Sequence, residues 1–429
     1  MEIKYIAETI KNNGGNTYLV GGAIRDKFLN RKTTDEDYCV TGITGDKFLE
    51  LFPEAIIKGK SFEVYELDKK EFAMARKEIK EEKGHKGFKI ITKKEISIED
   101  DLKRRDITIN SIAQDVLTKE IIDPYGGRKD IEKGIIRATT EAFKEDPLRV
   151  YRVARFAAVL DFKVEKNTIR LMRSIKNELN TLSSERVFTE FRKVLLSDKP
   201  SIFFDTLKRA DLLNIHFKEI EDLIGSLQPK KYHPEGDSYE HTMMVLDIVS
   251  EKTKDLQIRY SALVHDLGKG LTPKSEYPHH RGHDKKGVKA VKSLSNKICV
   301  PKSWRKCGET SCAEHMIAGN FRKMSFSKQV DFIERIDKSI LGLDGLQIVV
   351  NSDREGRGKY VQSEEERKIG QFSEIGYSCL KEINGKYIID KYNLSNEKNS
   401  EIKEIDEHKK FKELLKQERI SWMKENYLN

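Results

Sequence analysis

Residues 18–42 read YLVGGAIRDKFLNRKTTDEDYCVTG, and their order decides the fold. The apolar run ending at Val20 predicts a strand, Gly21-Gly22 a turn, the segment around Arg25-Asp26 a helix, and Asp35-Glu36-Asp37 the entry to a second strand. Successive strand side chains alternate faces, so Asp35 and Asp37 would point one way and Glu36 the other. Two carboxylates side by side suit Mg²⁺, because hard cations prefer oxygen ligands. A pair of such metals about 4 Å apart would activate an attacking hydroxyl and neutralise a leaving pyrophosphate. Gly21 and Gly22 would let backbone N–H groups approach a triphosphate, with the following helix N-terminus adding positive potential. Taken alone, a G-G followed by D-x-D is also what a solvated strand end looks like.

Outward from this stretch, residues 1 to about 140 alternate short β-rich runs (TYLV, DYCVTG, EVYEL, FKIIT, EIID) with helical patterns and glycine turns, as a small mixed α/β domain would. From about Lys144 apolar residues recur at helical spacing, through RVYRVARFAAVL, IRLMRSI, RVFTEFRKVLL and IFFDTLKRADLL, so the remainder is expected to be α-helical. The chain has 429 residues, of which 37% are hydrophobic and 35% charged. That is too long for one ordinary core and implies two to four units with heavily charged surfaces. No apolar run approaches the length of a membrane span and the N-terminus has no signal-peptide pattern, which makes the cytoplasm the expected compartment. Eighty Lys and Arg against 71 Asp and Glu give a net charge of +9, compatible with a polyanionic partner. Cys39, Cys299, Cys307, Cys312 and Cys379 are odd in number and scattered, so they are expected to be reduced core residues rather than a disulfide or zinc framework.

Further motifs follow in order: LKRRDITINSIAQD at 102–115, DPYGGRKDI at 123–131, EDPLRVYRVARFAAVL at 145–160 and SSERVFTEFRKVL at 183–195. In the first, a guanidinium of Arg104 or Arg105 can grip phosphate oxygens bidentately, unless it simply pairs with Asp100 or Asp101. In the third, Asp146-Pro147 reads as a helix start, and Arg149, Arg152 and Arg155 recur every three residues while Val150, Val153, Ala154 and Ala157 supply the buried side. Together with the opening stretch, these motifs resemble those of the class II tRNA nucleotidyltransferases, bacterial CCA-adding enzymes of the polymerase-β-like superfamily. The resemblance is to the subgroup carrying a C-terminal HD domain, and it weakens after about residue 370.

The resemblance implies catalytic, Mg²⁺-binding Asp35 and Asp37, and nucleotide contacts from Gly22, Arg25, Arg105, Asp146, Arg149, Arg152 and Arg155. Asp146 and Arg149 would read the Watson–Crick edge of the incoming base, so that protein replaces a nucleic-acid template, and a wrong base would leave buried polar groups unpaired. Glu71 is either a third metal-facing acid or an exposed strand glutamate. The stretch EIKEEKGHKGFK at 78–89 is long enough to be the intact mobile loop that accompanies complete C-C-A addition.

A second constellation lies in YEHTMMVLDIV, YSALVHDLGKGLT and LQIVVNSDREGRG. His241, His265, Asp266 and Asp353 form the spacing H…HD…D, two imidazoles and two carboxylates suited to a divalent metal with positions left open for water and phosphate. Lys269 and the loop histidines His279, His280 and His283 could bind phosphate or add ligands. The pattern resembles the HD phosphohydrolases, which implies Ni²⁺, Mn²⁺, Co²⁺ or Mg²⁺ and activity on 2′,3′-cyclic, 2′-linked and other small phosphates.

The expected fold is α+β: a polymerase-β-like nucleotidyltransferase head at 1–140, an all-α neck at 141–200, a helical body or linker at 201–237, an HD domain at 238–345, and a peripheral helical tail at 346–429 that contributes Asp353. The expected partners are tRNA, through its acceptor arm and 3′ end, ATP and CTP, in a monomer or homodimer with no membrane. Two alternatives share these motifs. One is a bacterial poly(A) polymerase-like enzyme; the other is an HD phosphohydrolase whose N-terminal part only binds RNA.

Overall fold

The computed structural model describes residues 1–33, 36–58, 63–80, 88–357, 363–364, 368, 370–392 and 401–427. Asp35 and residues 81–87 of the expected loop lie outside the described residues. The chain divides into two units, Met1–Ile215 and His216–Asn429.

The first unit is built on a seven-stranded sheet. Its strands are β1 (Asn16–Val20), β2 (Asp37–Thr41), β3 (Ile56–Lys58), β4 (Val64–Leu67), β5 (Lys70–Met74), and, beyond a separate hairpin of β6 (Arg76–Lys80) and β7 (Phe88–Thr92), β8 (Ala113–Asp115) and β9 (Ile121–Ile122). Their order is β3-β4-β5-β2-β1-β8-β9. Among the described strands of this sheet, β2 and β5 alone run parallel, with Asp37 opposite Glu71. The β4–β5 hairpin turns on Asp68 and Lys69, both with positive φ (49° and 61°), the conformation whose twist suits a two-residue hairpin.

Alternation along β2 fills both faces. Tyr38 and Val40 join Ile6, Ile10, Phe48, Tyr65 and Phe72 in one core cluster, under α1 (Ile3–Asn12) and α3 (Gly45–Leu51). Cys39 joins Val20, Leu102 and Ala113 on the other face, beside α4 (Ile98–Lys103). Between β1 and β2 runs α2 (Gly22–Phe28). The regular strand begins at Asp37, so Glu36 sits outside it and accepts a hydrogen bond from the Tyr38 hydroxyl at 2.6 Å.

After α5 (Gly127–Lys133), the unit becomes helical with α6 (Leu148–Leu160), α7 (Lys166–Ser174), α8 (Ser184–Leu195) and α9 (Ser201–Ala210). The all-helical expectation misses one detail: Lys163–Val164 pairs in parallel with Ile135–Ile136. Helix α6 packs on α8 and α9, burying Val150, Tyr151, Val153, Ala154 and Ala157.

The boundary falls at the end of α10 (Leu213–His216), and in the second unit α11 (Lys218–Glu221) precedes α12 (Ser238–Lys252), α13 (Leu256–Val264), α14 (His283–Lys297), α15 (Lys302–Ala318), α16 (Phe326–Asp337) and α17 (Gly342–Glu355). Asp237 caps α12 by accepting from Tyr239 N at 2.8 Å, and Asp255 caps α13 by accepting from Gln257 N at 2.8 Å, each satisfying an orphan amide of the first turn. Helix α14 crosses the turn after α13 at two glycines. A Cβ on Gly268 would collide with the His283 carbonyl, and one on Gly287 would lie 2.8 Å from Gly268 N and 2.5 Å from Cys312 Sγ.

The final helix, Glu401–Tyr427, is no peripheral tail. Met423 is fully buried in a cluster with Phe332, Ile333 and Phe372, and Arg419 pairs with Glu334 at 2.6 Å. Cys39, Cys307, Cys312 and Cys379 are buried as expected, but Cys299 is exposed at a left-handed turn residue after α14.

Candidate functional site

A cavity of about 880 Å³ opens in the first unit, lined by Gly21, Gly22, Arg25, Asp37, Glu71, Arg105, Asp146, Arg149, Arg152 and Arg155. It therefore gathers the expected nucleotide residues and one of the two expected catalytic acids from strands β1, β2 and β5 and helices α2 and α6. Glu71 sits in register with Asp37 on the adjacent strand, and paired residues of neighbouring strands project to the same face. Asp37 and Glu71 thus supply clustered hard oxygen donors of the kind Mg²⁺ takes.

Charge around the cavity is held in place by buried acids: Asp101 just before the 102–115 motif, Asp106 within it and Glu190 of α8. A reciprocal capping box at Ser97 and Asp100 starts α4, which then delivers a buried Asp101 one turn before Arg104 and Arg105. Asp101 accepts from Arg104 Nη2 at 2.6 Å and Arg105 Nη2 at 3.0 Å, so the pairing considered for these arginines occurs for both. Arg105 still reaches the turn: a Cβ on Gly21, whose φ is +68°, would lie 3.0 Å from its Nη1, and close approach with positive φ is what only glycine allows there.

Asp106 is 6% exposed and accepts from Arg152 Nε at 2.7 Å, Ile107 N at 3.0 Å and Asn110 Nδ2 at 3.2 Å. Burial by itself would raise the Asp106 carboxyl, but Arg152 beside it outweighs burial and brings it down to about 2. Asn110 also accepts from Arg25 Nη1 at 2.8 Å. Arg155 is buried against Glu190 of α8 at 2.5 Å; burial lowers its basicity despite that partner. The guanidinium groups of Arg25, Arg152 and Arg155 lie 5.2, 5.5 and 3.9 Å from the Phe156 ring centre, within cation–π range.

Asp146 both caps and faces the cavity. One oxygen accepts from Leu148 N at 3.0 Å, and Arg186 Nη2 lies 3.1 Å from the other. Arg149 Nη1 donates to the Ala142 carbonyl at 2.5 Å. The described side chains therefore tie Asp146 to Arg186, within the quoted 183–195 motif but not singled out there.

The second unit brings together all of H…HD…D. His241 Nε2 lies 3.0 Å from Asp353 Oδ1 and 3.9 Å from Asp266 Oδ2, and His265 Nε2 lies 3.2 Å from Asp266 Oδ2. His241, His265 and Asp353 offer ligand atoms all within 4.8 Å of one another. His265 Nε2 and Asp266 Oδ1 are buried without a hydrogen-bond partner, an arrangement a bound cation would satisfy. Burial would lower His241, yet Asp353 and Glu235 on its two nitrogens outweigh it and raise it to about 9. Glu235, which has no motif signature, lies 2.9 Å from His241 Nδ1 and 2.8 Å from His233 Nδ1. A carboxylate in that place is the kind of partner that orients an imidazole for a metal. Around these groups a cavity of about 610 Å³ is lined by Lys269, Arg281, Lys323, Arg354 and Arg357, cations suited to phosphate, and by His280. His279 lines it too.

A cavity lined both by strand carboxylates and by an arginine-bearing helix, in a chain that also carries a His/Asp cluster able to hold a metal, defines a nucleotidyltransferase head joined to an HD domain. Family models agree: residues 17–137 match the poly A polymerase head domain, 161–224 the probable RNA and SrmB-binding site of polymerase A, and 238–325 the HD domain. The multifunctional CCA protein of Nitrosococcus oceani is 39% identical over 324 residues, 75% of this chain and 79% of that protein. That of Mannheimia succiniciproducens is 40% identical over 361 residues, 81% and 85%. Among solved structures, the Thermotoga maritima CCA-adding enzyme complexed with tRNA shares the fold at a TM-score of 0.61 and 18% identity, over 98% of this chain and 91% of that one. The chain belongs to the multifunctional CCA protein family.

Proposed function

We propose that this chain adds C-C-A to the 3′ end of tRNA from CTP and ATP, without a nucleic-acid template, releasing pyrophosphate. The observation that carries the reading is one cavity lined both by Asp37 and Glu71 and by Asp146, Arg149, Arg152 and Arg155. Asp35 and Asp37 are the catalytic carboxylates, and Glu71 supports them as a third acid. Mg²⁺ held there supplies Lewis acidity for attack of the RNA 3′-hydroxyl on the α-phosphate. Gly22, Arg25 and Arg105 hold the triphosphate, and Arg152 and Arg155 set positive charge in advance where negative charge develops. Asp146 and Arg149 present fixed acceptors and donors to the base edge, so selection rests on side chains.

The head spans 1–140, the neck 141–200, the body 201–237 and the HD domain 238–345, with Asp353 supplied from 346–429. The HD site hydrolyses small phosphoesters, including 2′,3′-cyclic and 2′-linked ones, with His241, His265, Asp266 and Asp353 holding Ni²⁺, Mn²⁺, Co²⁺ or Mg²⁺. The partner is the tRNA acceptor arm and the setting cytoplasmic; among the described residues no helix is long and apolar enough to cross a membrane.

The deciding experiment incubates purified protein with tRNA lacking C-C-A and each labelled nucleotide. Two C followed by one A is expected; runs of A without C incorporation would instead make it a poly(A) polymerase-like enzyme. No incorporation of either nucleotide, with phosphoester hydrolysis and RNA binding present, would leave only the RNA-binding phosphohydrolase.

A further inference from the structure

We propose that the HD pocket grips a nucleoside: Gln228 and His280 hold a sugar hydroxyl, and Tyr232 carries the base. The proposal rests on the reading of this unit as a phosphoester hydrolase, and names side chains outside the H…HD…D spacing that set which phosphoesters it takes.

Gln228 lies at the stem of the loop before α12. Its backbone N–H donates to the Gly236 carbonyl at 2.9 Å, and Ser238 N donates to the Ser226 carbonyl at 3.0 Å, beside the bridge between Leu227 and Asp237. The side chain is fixed as well. Lys269 Nζ, 2.6 Å from Asp266 Oδ2, donates to Gln228 Oε1 at 2.5 Å. An ammonium group only donates, so the amide oxygen must face Lys269 and the NH₂ group must point away from it. Gln228 is 4% exposed, and its Nε2 is buried without a hydrogen-bond partner. A carboxamide donor is thus held one side chain away from Asp266 with nothing to donate to.

An acceptor is anchored on the same stem. His280 Nε2 lies 2.9 Å from the Leu227 carbonyl. A carbonyl only accepts, so Nε2 carries the hydrogen and the neutral ring presents a lone pair at Nδ1; burial lowers the basicity of this ring. That Nδ1 is also buried without a partner. Leu227 and Gln228 are consecutive, so the unpaired donor and the unpaired acceptor are tied to neighbouring residues, and both side chains line the cavity of about 610 Å³. A phosphate oxygen only accepts and would leave Nδ1 unpaired. A hydroxyl accepts from Gln228 and donates to His280, which satisfies both. In a nucleoside 2′-phosphate that hydroxyl is the neighbouring 3′-OH. The cavity has an apolar side too, lined by Tyr232, 47% exposed, and Met316, 45% exposed. Aromatic rings and thioethers are polarizable faces on which any base can rest. With the lining cations taking the phosphate, the cavity has a place for each part of a ribonucleotide.

The test is steady-state hydrolysis by the full chain, in whichever of Ni²⁺, Mn²⁺, Co²⁺ and Mg²⁺ is most active. Its substrates are adenosine 2′-phosphate, the 3′-deoxy analogue, and methyl riboside 2′-phosphate, which lacks the base. The unsubstituted protein is expected to favour the first over the second by about 10- to 100-fold in kcat/KM, because the analogue leaves buried groups unpaired, and over the third by about tenfold. Gln228→Leu and His280→Phe should each lose the hydroxyl preference and keep the base preference, and Tyr232→Ala should do the reverse. A merely structural role lowers all three rates together, so the ratios carry the result, with bound metal and circular dichroism measured on each variant. Equal kcat/KM for the three substrates in the unsubstituted protein overturns the subsite and leaves the hydrolase standing, whatever the variants do. Preferences that persist in folded, metal-loaded variants overturn the residue assignment. No hydrolysis of any of the three overturns the hydrolase reading and the subsite with it.

Discussion

Asp106→Asn tests whether a buried acid outside the catalytic set positions an arginine of the nucleotide site. The substitution keeps shape and can keep the acceptor for Ile107 N, but it turns the oxygen 2.7 Å from Arg152 Nε into an amide that can face it with a donor. A hydrogen bond between charged groups contributes about 1.5–3 kcal/mol. The Arg152 side chain is 34% exposed, so solvent screening puts the expected loss at about 2 kcal/mol. That converts to a roughly 30-fold fall in kcat/KM. The fall should be equal for C and A addition, because Arg152 is assigned to the nucleotide rather than to the base edge. In an Arg152→Ala background the same substitution should cost less than about threefold, which gives the cycle its coupling energy. A depressed carboxyl stabilises the fold above its unfolded value of about 4, and that contribution is lost only as pH falls through about 2. The deficit should therefore be flat between pH 6 and 9. Equal losses in the two backgrounds, or a deficit confined to one nucleotide, would refute the positioning role.

Three other outcomes are expected. Asp37→Ala should reduce nucleotide incorporation by about a thousandfold or more while phosphoester hydrolysis continues, and Glu71→Gln by about 10- to 100-fold; unimpaired incorporation in Glu71→Gln would make the strand pairing incidental. His265→Ala should lose hydrolysis and bound metal together, as read by phosphate release and metal analysis, with C-C-A addition retained; loss of both activities in a folded protein would contradict two separable sites. Glu235→Gln should weaken metal affinity about 10- to 100-fold in a competition titration, because it removes the carboxylate that orients His241; unchanged affinity would reduce Glu235 to a loop contact.

What could be read in the sequence followed local periodicity. The alternation in TYLV and DYCVTG gave β1 and β2, and the three-residue arginine spacing gave the α6 face, because both depend on neighbours a few residues apart. Asp101 was within reach for the same reason, lying one turn before Arg104 and Arg105. Pairings set by topology were not: Asp37 meets Glu71 through a parallel crossover, and Arg155 meets Glu190 across two packed helices. Glu235 sits in a Pro/Gly loop where an acid carries no periodic signal, and Arg186 was visible only as part of a motif. The last helix docks through Met423 with Ile420, Trp422 and Tyr427 packed beside it, a short apolar group at the end of a Lys/Glu-rich stretch whose charge concealed it.

The crossing of Gly268 and Gly287 has a bearing on how such centres are recognised. Four ligand letters can be retained through any amount of sequence drift while the spacing between the α13 turn, which carries two of them, and α14, which carries His283, is set by two positions with no side chain at all. Alanine at 268 would wedge the α13 turn away from α14 by about the width of a methyl group, and overpacking of this kind costs about 1–3 kcal/mol. A chain altered in that way would still spell H…HD…D, yet His283 of α14 would stand further from Asp266. Whether a relative keeps this close approach is then judged from its glycines as well as from its histidines.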